Sequence, residues 1–90
     1  MAISDIEELG GKAASILQNL IQKQAESVLA INQEGKEWKV LVEALEKKVV
    51  PDTYDLMGRY ELRFNETGKL LGYKQVMLRR RSDRLEEDKK

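Results

Sequence analysis

The hydrophobic pattern of this chain changes its period near Gly35. Before that glycine, apolar residues recur at steps of three and four, and after it they alternate with polar residues. Steps of three and four form one stripe along an α-helix, whereas alternation forms one face of a β-strand. The sequence therefore predicts an α+β fold, in which a long amphipathic N-terminal helix is followed by a small antiparallel sheet.

The first third of the chain lacks proline and is rich in residues that favour helix formation. Ser4 and Glu7 have the spacing of a capping box, and we expect a helix over about residues 4–33. Gly10 and Gly11 each destabilise a helix interior by about 1 kcal/mol, which predicts a frayed or hinged first turn. The expected apolar stripe of this helix comprises Ile6, Leu9, Ala13, Ile16, Leu17, Leu20, Ile21, Val28 and Ile31.

Three β-rich segments follow the helix and predict a three-stranded antiparallel sheet over about residues 37–80. The strands are expected near 37–46, 59–65 and 69–80. Residues 65–68 have a type I turn pattern, and so short a connection requires the flanking strands to form an antiparallel hairpin. The predicted inward side chains are Trp38, Val40, Val42, Ala44, Tyr60, Leu62 and Phe64.

Residues 81–90 are charge-dense and predict a tail that is disordered or forms the end of a solvated helix. We expect residues 1–90 to form a single domain with a modest core. No stretch approaches the ~20 consecutive apolar residues of a membrane span, and the N-terminus carries acidic residues where a signal peptide carries basic ones. These features predict a cytoplasmic protein without a membrane span.

The composition narrows the classes of function. The chain contains no cysteine and no histidine, which excludes thiolate and imidazole nucleophiles and the usual structural zinc sites. Its 16 basic residues balance 16 acidic ones, so no whole-molecule field attracts nucleic acid. No glycine-rich phosphate loop is present. The sequence therefore predicts a binding protein that is not an enzyme and that has neither a metal nor a cofactor.

The charged residues of the sheet and of the turn at Pro51 allow two interpretations. The carboxylates there suit a hard-cation site or an acid–base pair, or they are turn formers and solvent-facing strand positions. The second interpretation is favoured because their spacing matches no calcium-binding loop. The candidate partner-binding residues are these exposed charges and the C-terminal arginine cluster, namely Glu43, Glu46, Asp52, Asp55, Arg59, Glu61, Arg79, Arg80 and Arg81.

The arginine cluster (Arg79, Arg80 and Arg81) forms the one basic concentration of the chain together with Arg84, Lys74 and Lys69. This concentration and the helix stripe each allow two interpretations. The cluster suits RNA or an acidic protein, and protein is favoured because Glu86 and Glu87 neutralise the cluster locally and no RNP-type aromatic motif is present. The helix stripe covers the sheet, or part of it packs on a partner helix. Three short strands bury less than the whole stripe, so we expect a homo-oligomer or a partner contact through the helix.

Residues 38–81 carry an ordered series of short motifs. They are a tryptophan that opens a strand, two spaced glutamates, a Pro-Asp-Thr turn, a Tyr-Glu strand, a glycine hairpin, a Gly-Tyr pair and a terminal arginine cluster. The residues of the series are Trp38, Val42, Glu43, Glu46, Pro51, Asp52, Thr53, Asp55, Tyr60, Glu61, Gly68, Gly72, Tyr73, Arg79, Arg80 and Arg81. In this order and at this spacing, the motifs resemble those of the gas vesicle protein O family.

The resemblance implies an accessory protein that supports gas vesicle assembly through other gas vesicle proteins and has no catalytic activity. It implies a location in the cytoplasm, either free or associated with gas vesicles. Two alternatives stay open at this point. One is a small nucleic-acid-binding regulator of gas vesicle gene expression that uses the arginine cluster, and the other is a minor structural component of the vesicle.

Overall fold

The computed structural model describes residues 6–82. Its elements are α1 (Ile6–Ile21), β1 (Ala25–Glu34), β2 (Glu37–Lys47), a 3₁₀ helix (Asp52–Tyr54), β3 (Leu56–Phe64) and β4 (Leu70–Arg80). The predicted α+β class is confirmed, but the sheet has four strands and not three. The strands lie in the order β1-β2-β3-β4, each antiparallel to the next. The predicted cap Ser4 and residues 83–90 of the predicted tail lie outside the described residues.

The helix predicted over residues 4–33 is wrong beyond Ile21. Gln22 has a left-handed backbone (φ 59°), a conformation that commonly ends a helix. The Gln18 side chain then secures the exit, because its Oε1 accepts a hydrogen bond from the backbone N–H of Ala25 at 3.0 Å. The chain after this point forms β1, the strand that the sequence analysis missed. No helix within residues 6–82 is both long and apolar enough to span a membrane.

Two β-bulges explain why β1 was mistaken for helix. The pairing with β2 shifts at two places, so Glu26 and Leu29 are extra residues without a partner in β2. The residues of β1 that face the core side are consequently Ala25, Val28 and Ile31, each three positions from the next. Each bulge adds one residue to the normal two-residue spacing between side chains on the same face of a strand. The resulting spacing of three residues is the spacing that indicates an amphipathic helix.

The hydrophobic core lies between α1 and the central strands. The three predicted strands are confirmed within three residues at each end, because alternation is regular over residues 38–44 and 60–64. Trp38 packs at the margin of the core and is partly exposed. The other predicted inward residues are buried. The core side chains are Leu9, Ala13, Leu17, Val40, Val42, Ala44, Tyr60, Leu62 and Phe64.

The two adjacent glycines of α1 have different surroundings. The helix runs through both of them, so neither glycine interrupts it, and residues 4–5 of the predicted first turn lie outside the described residues. Gly10 is buried against β1, and a Cβ there would lie 3.2 Å from Ile31 Cδ1 and 3.6 Å from Val28 Cγ1. Gly11 is exposed, and a Cβ there would meet no described atom within 4 Å. The missing side chain at Gly10 thus lets α1 pack closely on β1.

We expect valine to have different effects at these two glycines. Gly10→Val should destabilise the protein by about 1–3 kcal/mol, because the added side chain overpacks the contact with Ile31 and Val28. Gly11→Val should be neutral or slightly stabilising, because valine favours helix more than glycine does and meets open space. Urea unfolding followed by circular dichroism measures both changes. Equal free energies of unfolding for the two variants would contradict the close approach at Gly10.

Candidate functional site

The sheet face opposite α1, which we call the open face, carries several of the charged residues singled out from the sequence. Alternation along β2 places Glu43 on this face, because its neighbours Val42 and Ala44 face the core. Glu43 pairs in register with Arg59 of β3, and Arg79 of β4 pairs in register with Met57, two residues before Arg59. Three strands thus bring Glu43, Arg59 and Arg79 together on one face.

The Glu43 carboxylate is buried between two arginines, and its residue is only 5% exposed. Arg79 binds it with two hydrogen bonds of 2.8 Å, from Nε to Oε2 and from Nη2 to Oε1. Arg59 Nε donates a third to Oε2 at 3.1 Å. Burial opposes ionisation of Glu43, but the hydrogen bonds from Arg79 and Arg59 outweigh it and hold its pKa below the usual range. We call these three residues the Glu43 network.

A second buried carboxylate, Asp55, ends the loop between β2 and β3 and is 1% exposed. Its Oδ1 accepts a hydrogen bond from the Val49 N–H at 2.8 Å, and its Oδ2 lies 3.3 Å from Arg81 Nη2. Arg81 also binds Glu26 of β1 through Nη1 (3.1 Å) and Nη2 (3.0 Å). The Val49 N–H is the main reason that the pKa of Asp55 lies below its usual range, and Arg81 contributes to the same shift. We call Glu26, Asp55 and Arg81 the Asp55 network.

Backbone hydrogen bonds extend the Asp55 network along the chain after β4. The Arg81 N–H donates to the Asp55 carbonyl at 2.7 Å, and the Ser82 N–H donates to the Thr53 carbonyl at 2.8 Å. Arg79 Nη1 donates to the carbonyls of Arg80 and Arg81, each at 3.1 Å. The loop of residues 48–55 is therefore held by the chain after β4, and Glu26 of β1 reaches it only through Arg81.

The third polar cluster, formed by Glu46, Tyr60 and Gln75, lies on the side of the sheet that faces α1. Glu46 Oε2 accepts hydrogen bonds from the Tyr60 hydroxyl and, at 3.0 Å, from Gln75 Nε2. Its other oxygen lies 3.9 Å from Lys23 Nζ. Burial and the hydrogen bond to Glu46 raise the pKa of Tyr60 to about 12. Gly58 makes room for the cluster, because a Cβ there would overlap the Glu46 carboxylate.

These arrangements suit anchoring better than proton transfer. The buried carboxylates of Glu43 and Asp55 already accept hydrogen bonds from arginine or backbone donors, and both have lowered pKa values. A general base works best when its pKa lies near the operating pH. Among residues 6–82, no group of three or more acidic side chains is placed to hold a metal ion. The described charges therefore position chain segments relative to one another.

The expectation that these carboxylates are exposed is wrong for Glu43 and Asp55, which are buried, whereas the assignment of Asp55 to a turn is confirmed, because it ends the 3₁₀ helix after Pro51. The two carboxylates are buried because arginines from other segments of the chain cover them. Three of the candidates, Arg59, Arg79 and Arg81, are partly buried because they make these pairs. The candidates do not form one surface: Glu46 faces the α1 side, Glu61 is partly buried 3.9 Å from Lys74, and the exposed positions are Asp52 and Arg80. Partner binding by any of them stays a prediction.

Sequence reasoning missed the exposed apolar residues of the loop that the Asp55 network holds. Val50 is 94% exposed and Tyr54 is 51% exposed, on either side of the exposed Asp52. Large apolar side chains beside a Pro-Asp turn were the available signal, because such turns lie at the surface. We call Val50, Asp52, Tyr54 and the exposed Arg80 at the same end of the sheet the corner surface.

The chain is similar to proteins of one family. A profile described as Gas vesicle synthesis protein GvpO matches residues 2–86. The chain is 36% identical to Gas vesicle protein O1 of Halobacterium salinarum over 76 residues. These residues cover 84% of this chain and 64% of that protein. It is 34% identical over 88 residues to Gas vesicle protein O of Haloferax mediterranei, which covers 97% of this chain and 61% of that protein.

A third relative comes from a different kind of organism. The chain is 39% identical over 74 residues to Gas vesicle protein O of a Streptomyces species, which covers 80% of this chain and 58% of that protein. The chain thus spans about three fifths of the length of the curated relatives that it matches. No solved structure matches it.

We expect Glu43→Gln to destabilise the protein strongly. It leaves the neighbouring Arg59 and Arg79 without their counter-charge in a partly buried site, which costs about 3–5 kcal/mol. The matched control is Glu37→Gln, because Glu37 pairs with Arg63 at 3.2 Å but both side chains are more than 40% exposed. Exposed pairs contribute about 0–1 kcal/mol. Urea unfolding compares the two, and equal losses would contradict the structural role of Glu43.

We also expect stability to fall in acid. The folded-state pKa values of Glu43 and Asp55 lie below the ordinary values of 4.5 and 3.8, so their contribution is present above about pH 5. It is lost as the pH falls through the folded values, because the unfolded chain takes up protons on both carboxyls before the folded chain does. Thermal unfolding between pH 7 and pH 2.5 measures this loss. Glu43→Gln and Asp55→Asn should each flatten the dependence, and an unchanged slope in both would contradict it.

Proposed function

We propose a role for this chain from one premise: it belongs to the family described as Gas vesicle synthesis protein GvpO. The resemblance of residues 38–81 to this family is thereby confirmed. From that membership we propose that the chain serves gas vesicle assembly as a non-enzymatic accessory module that binds other gas vesicle proteins. We also propose that it acts in the cytoplasm, either free or associated with gas vesicles.

The observation that carries this proposal is the way the Asp55 network holds the corner surface. Asp55 fixes residues 48–55 through the Val49 N–H and through the chain after β4, while Val50 and Tyr54 stay exposed on that loop. A side chain presented by an already ordered loop loses less conformational entropy on binding. Tyrosine is enriched among the residues that dominate binding energy. An ordered loop with exposed apolar side chains therefore supports protein binding.

We propose different roles for the charged residues that the sequence singled out. Asp52 and Arg80 contact the partner at the rim of the corner surface, where charges set specificity and association rate more than affinity. Glu61 is a further candidate contact on the open face. The paired residues Glu43, Asp55, Arg59, Arg79 and Arg81 hold the surface in place, and Glu46 does the same from the α1 side.

The alternatives differ from this proposal in the chemistry that they need. A nucleic-acid-binding regulator needs basic side chains that reach phosphates, but Arg79 and Arg81 already bind carboxylates here. A minor structural component of the vesicle would stay with washed vesicles. The predicted homo-oligomer through α1 stays a prediction, and the exposed large apolar residues that α1 offers for it are Ile6 and Leu20.

The test is deletion of the gene from its cluster, followed by complementation with corner-surface variants. Val50→Ser/Tyr54→Ser should abolish or sharply reduce vesicle formation and should weaken co-purification with gas vesicle proteins at least tenfold. The control is Leu29→Ser, which removes an exposed apolar side chain of β1, away from the corner surface and from α1, and should behave like the unmodified chain. Circular dichroism checks that both variants fold.

Each of the other possible outcomes shows which part of the proposal is wrong. Normal vesicles without the gene would overturn the assembly role. Normal vesicles with the folded corner variant would overturn only the choice of surface. Lost transcripts with unchanged co-purification would favour the regulator, and quantitative retention in washed vesicles would favour the structural component.

A further inference from the structure

The side of the sheet that carries α1 is only partly covered by that helix. α1 packs on β1 and β2, and the side chains of β3 on this side are buried in the core. The register of β4 places Tyr73 opposite Leu62 and Leu78 opposite Gly58, so Tyr73 and Leu78 both lie on the α1 side. Tyr73 is 44% exposed and Leu78 is 56% exposed. Within residues 6–82, the α1 side of β4 therefore lacks a cover from Tyr73 onward.

The C-terminal part of α1 forms a wall beside this uncovered strand. Leu20 follows the buried Ala13 by seven residues, which places both on the sheet-facing side of the helix. Leu20 is nevertheless 45% exposed. Lys23 follows the helix, and its Nζ lies 3.9 Å from Glu46, which is on the same side of the sheet. Apolar surface is thus exposed on both sides of one space, from α1 and from β4.

The floor of this space is polar, but its groups already have partners. Gln75 reaches across β3 from the α1 side of β4 and donates to Glu46 Oε2 at 3.0 Å. The Tyr60 hydroxyl donates to the same oxygen. Gly58 has no side chain that would displace these groups from the sheet. Covering the floor therefore leaves the Glu46 carboxylate with its hydrogen bonds, which avoids the main cost of burying a polar group.

Two cations lie at one end of the space. Lys47 pairs in register with Leu56, and Leu56 lies on the α1 side because it precedes the core residue Tyr60 by four positions in a regular strand. Lys47 is exposed, and the side chain of Lys23 is 38% exposed. The carboxylate beside them, Glu46, is mostly buried, with a side chain that is 15% exposed. This end of the space therefore presents net positive charge.

We call the space between α1 and β4 the shelf. It ends at Arg80 of the corner surface, which pairs with Leu56, but the function proposed above does not use it. The residues that border it are Leu20, Lys23, Lys47, Tyr73, Gln75 and Leu78.

The dimensions of the shelf fit one α-helix. Strands lie ~4.8 Å apart, so β4 lies about 14 Å from β1, while packed helices have axes about 8–10 Å apart. A second helix beside α1 would thus lie over β3 and β4. The distance from Tyr73 to Leu78 is about 17 Å at ~3.3 Å per residue. Three turns of helix, about 11 residues, span that length.

We propose that the shelf binds an amphipathic α-helix of a partner protein, which packs beside α1 with an acidic N-terminal turn at Lys23 and Lys47. Its apolar face covers Leu20, Tyr73 and Leu78. Acidic residues stabilise the first turn of a helix, so the N-terminal turn is the end that suits the two lysines. Because Lys23 follows the C-terminus of α1, the bound helix runs antiparallel to α1.

The test uses the full 90-residue chain and synthetic 18-residue helices as probes. The first probe has leucines on one face and three glutamates in its first turn. The second probe replaces these glutamates by lysines, and the third scrambles the leucines so that no apolar face forms. Fluorescence anisotropy should give saturable binding of the first probe and at least tenfold weaker binding of the other two. Backbone NMR shifts should map the first probe to the α1 side of β4 and to the end of α1.

Variants on the two faces of the same strand locate the site. Tyr73→Ser/Leu78→Ser should weaken binding of the first probe at least tenfold, because it removes the apolar side chains of β4 from the shelf. The matched control is Met77→Ser, which removes an exposed apolar side chain from the open face of β4 and should leave binding unchanged. Circular dichroism checks that both variants fold.

Charge reversal tests the acidic end of the bound helix. Lys47→Glu should weaken binding of the first probe at least fivefold and strengthen binding of the lysine probe. Lys74→Glu reverses an exposed charge on the open face of β4 and should change neither. Val50→Ser/Tyr54→Ser should bind the first probe normally, so that failure of this inference and failure of the proposed function are distinguishable.

Several outcomes would overturn the proposal. They are no saturable binding of the first probe, equal binding of the lysine or scrambled probe, shifts that map to the open face, and equal losses in Tyr73→Ser/Leu78→Ser and Met77→Ser. A dimer in sedimentation that Tyr73→Ser/Leu78→Ser separates would assign the shelf to a second copy of the chain. Displacement of the first probe by phosphatidylglycerol vesicles would assign it to lipid. Either result would overturn the helical partner.

Discussion

A carboxylate that is removed from water has to be paired with a cation or with hydrogen-bond donors. On the open face of the sheet, the buried Glu43 therefore needs Arg59 and Arg79 beside it. Its partner Arg79 lies on β4, which is not a neighbour of β2, so the hydrogen bonds between them cross β3. Replacing a buried ion pair with apolar residues is often neutral, whereas removing one partner is strongly destabilising. The Glu43 network therefore matters more for where β4 lies than for net stability, and the position of Arg81 depends on where β4 ends.

The β-bulges let charged residues of one strand contact residues on strands that are not its neighbours. Glu26 and Glu46 are both extra residues, in β1 and β2 respectively. Each binds a partner outside its own pair of strands, Arg81 for Glu26 and Gln75 for Glu46. Bulges re-aim side chains and increase the local twist of a strand. Glu26 thus meets Arg81, although β1 and β4 are the opposite edges of the sheet. Bulges at Glu26 and Leu29 in β1, and at Leu71 and Val76 in β4, also make the two edges less suited to pairing with another strand.

Hydrophobic period predicted the fold well wherever a strand is regular. It placed β2, β3 and β4, and it found the inward faces of the two central strands. It failed in β1 because two bulges turned a two-residue period into a three-residue one, and a pattern of residues cannot reveal bulges that only the partner strand defines. The loss of β1 also hid Glu26, which appeared to be one more charge on a helix.

The candidate site was predictable by residue type but not by burial. The sequence identified Glu43 and Arg79 as chemically important, yet 36 positions separate them, and only the register of the sheet shows that they meet. Val50 and Tyr54 were missed because apolar residues between two strands resemble core residues until the loop is known to be fixed from outside. Residue type therefore located the charges, while tertiary pairing decided which of them stay available to a partner.

The resulting electrostatics differ from what the sequence suggests. The arginine cluster is the densest basic run in residues 6–82, but Arg79 and Arg81 each bind carboxylates of this chain. Lys74, which the sequence groups with that cluster, has a side chain that is 71% exposed, and its Nζ lies 3.9 Å from Glu61. Screening and pairing weaken the field of the cluster more than that of Lys74. The density of basic residues along the sequence is therefore a poor guide to where positive charge remains on the surface of the fold, because tertiary pairing neutralises Arg79 and Arg81.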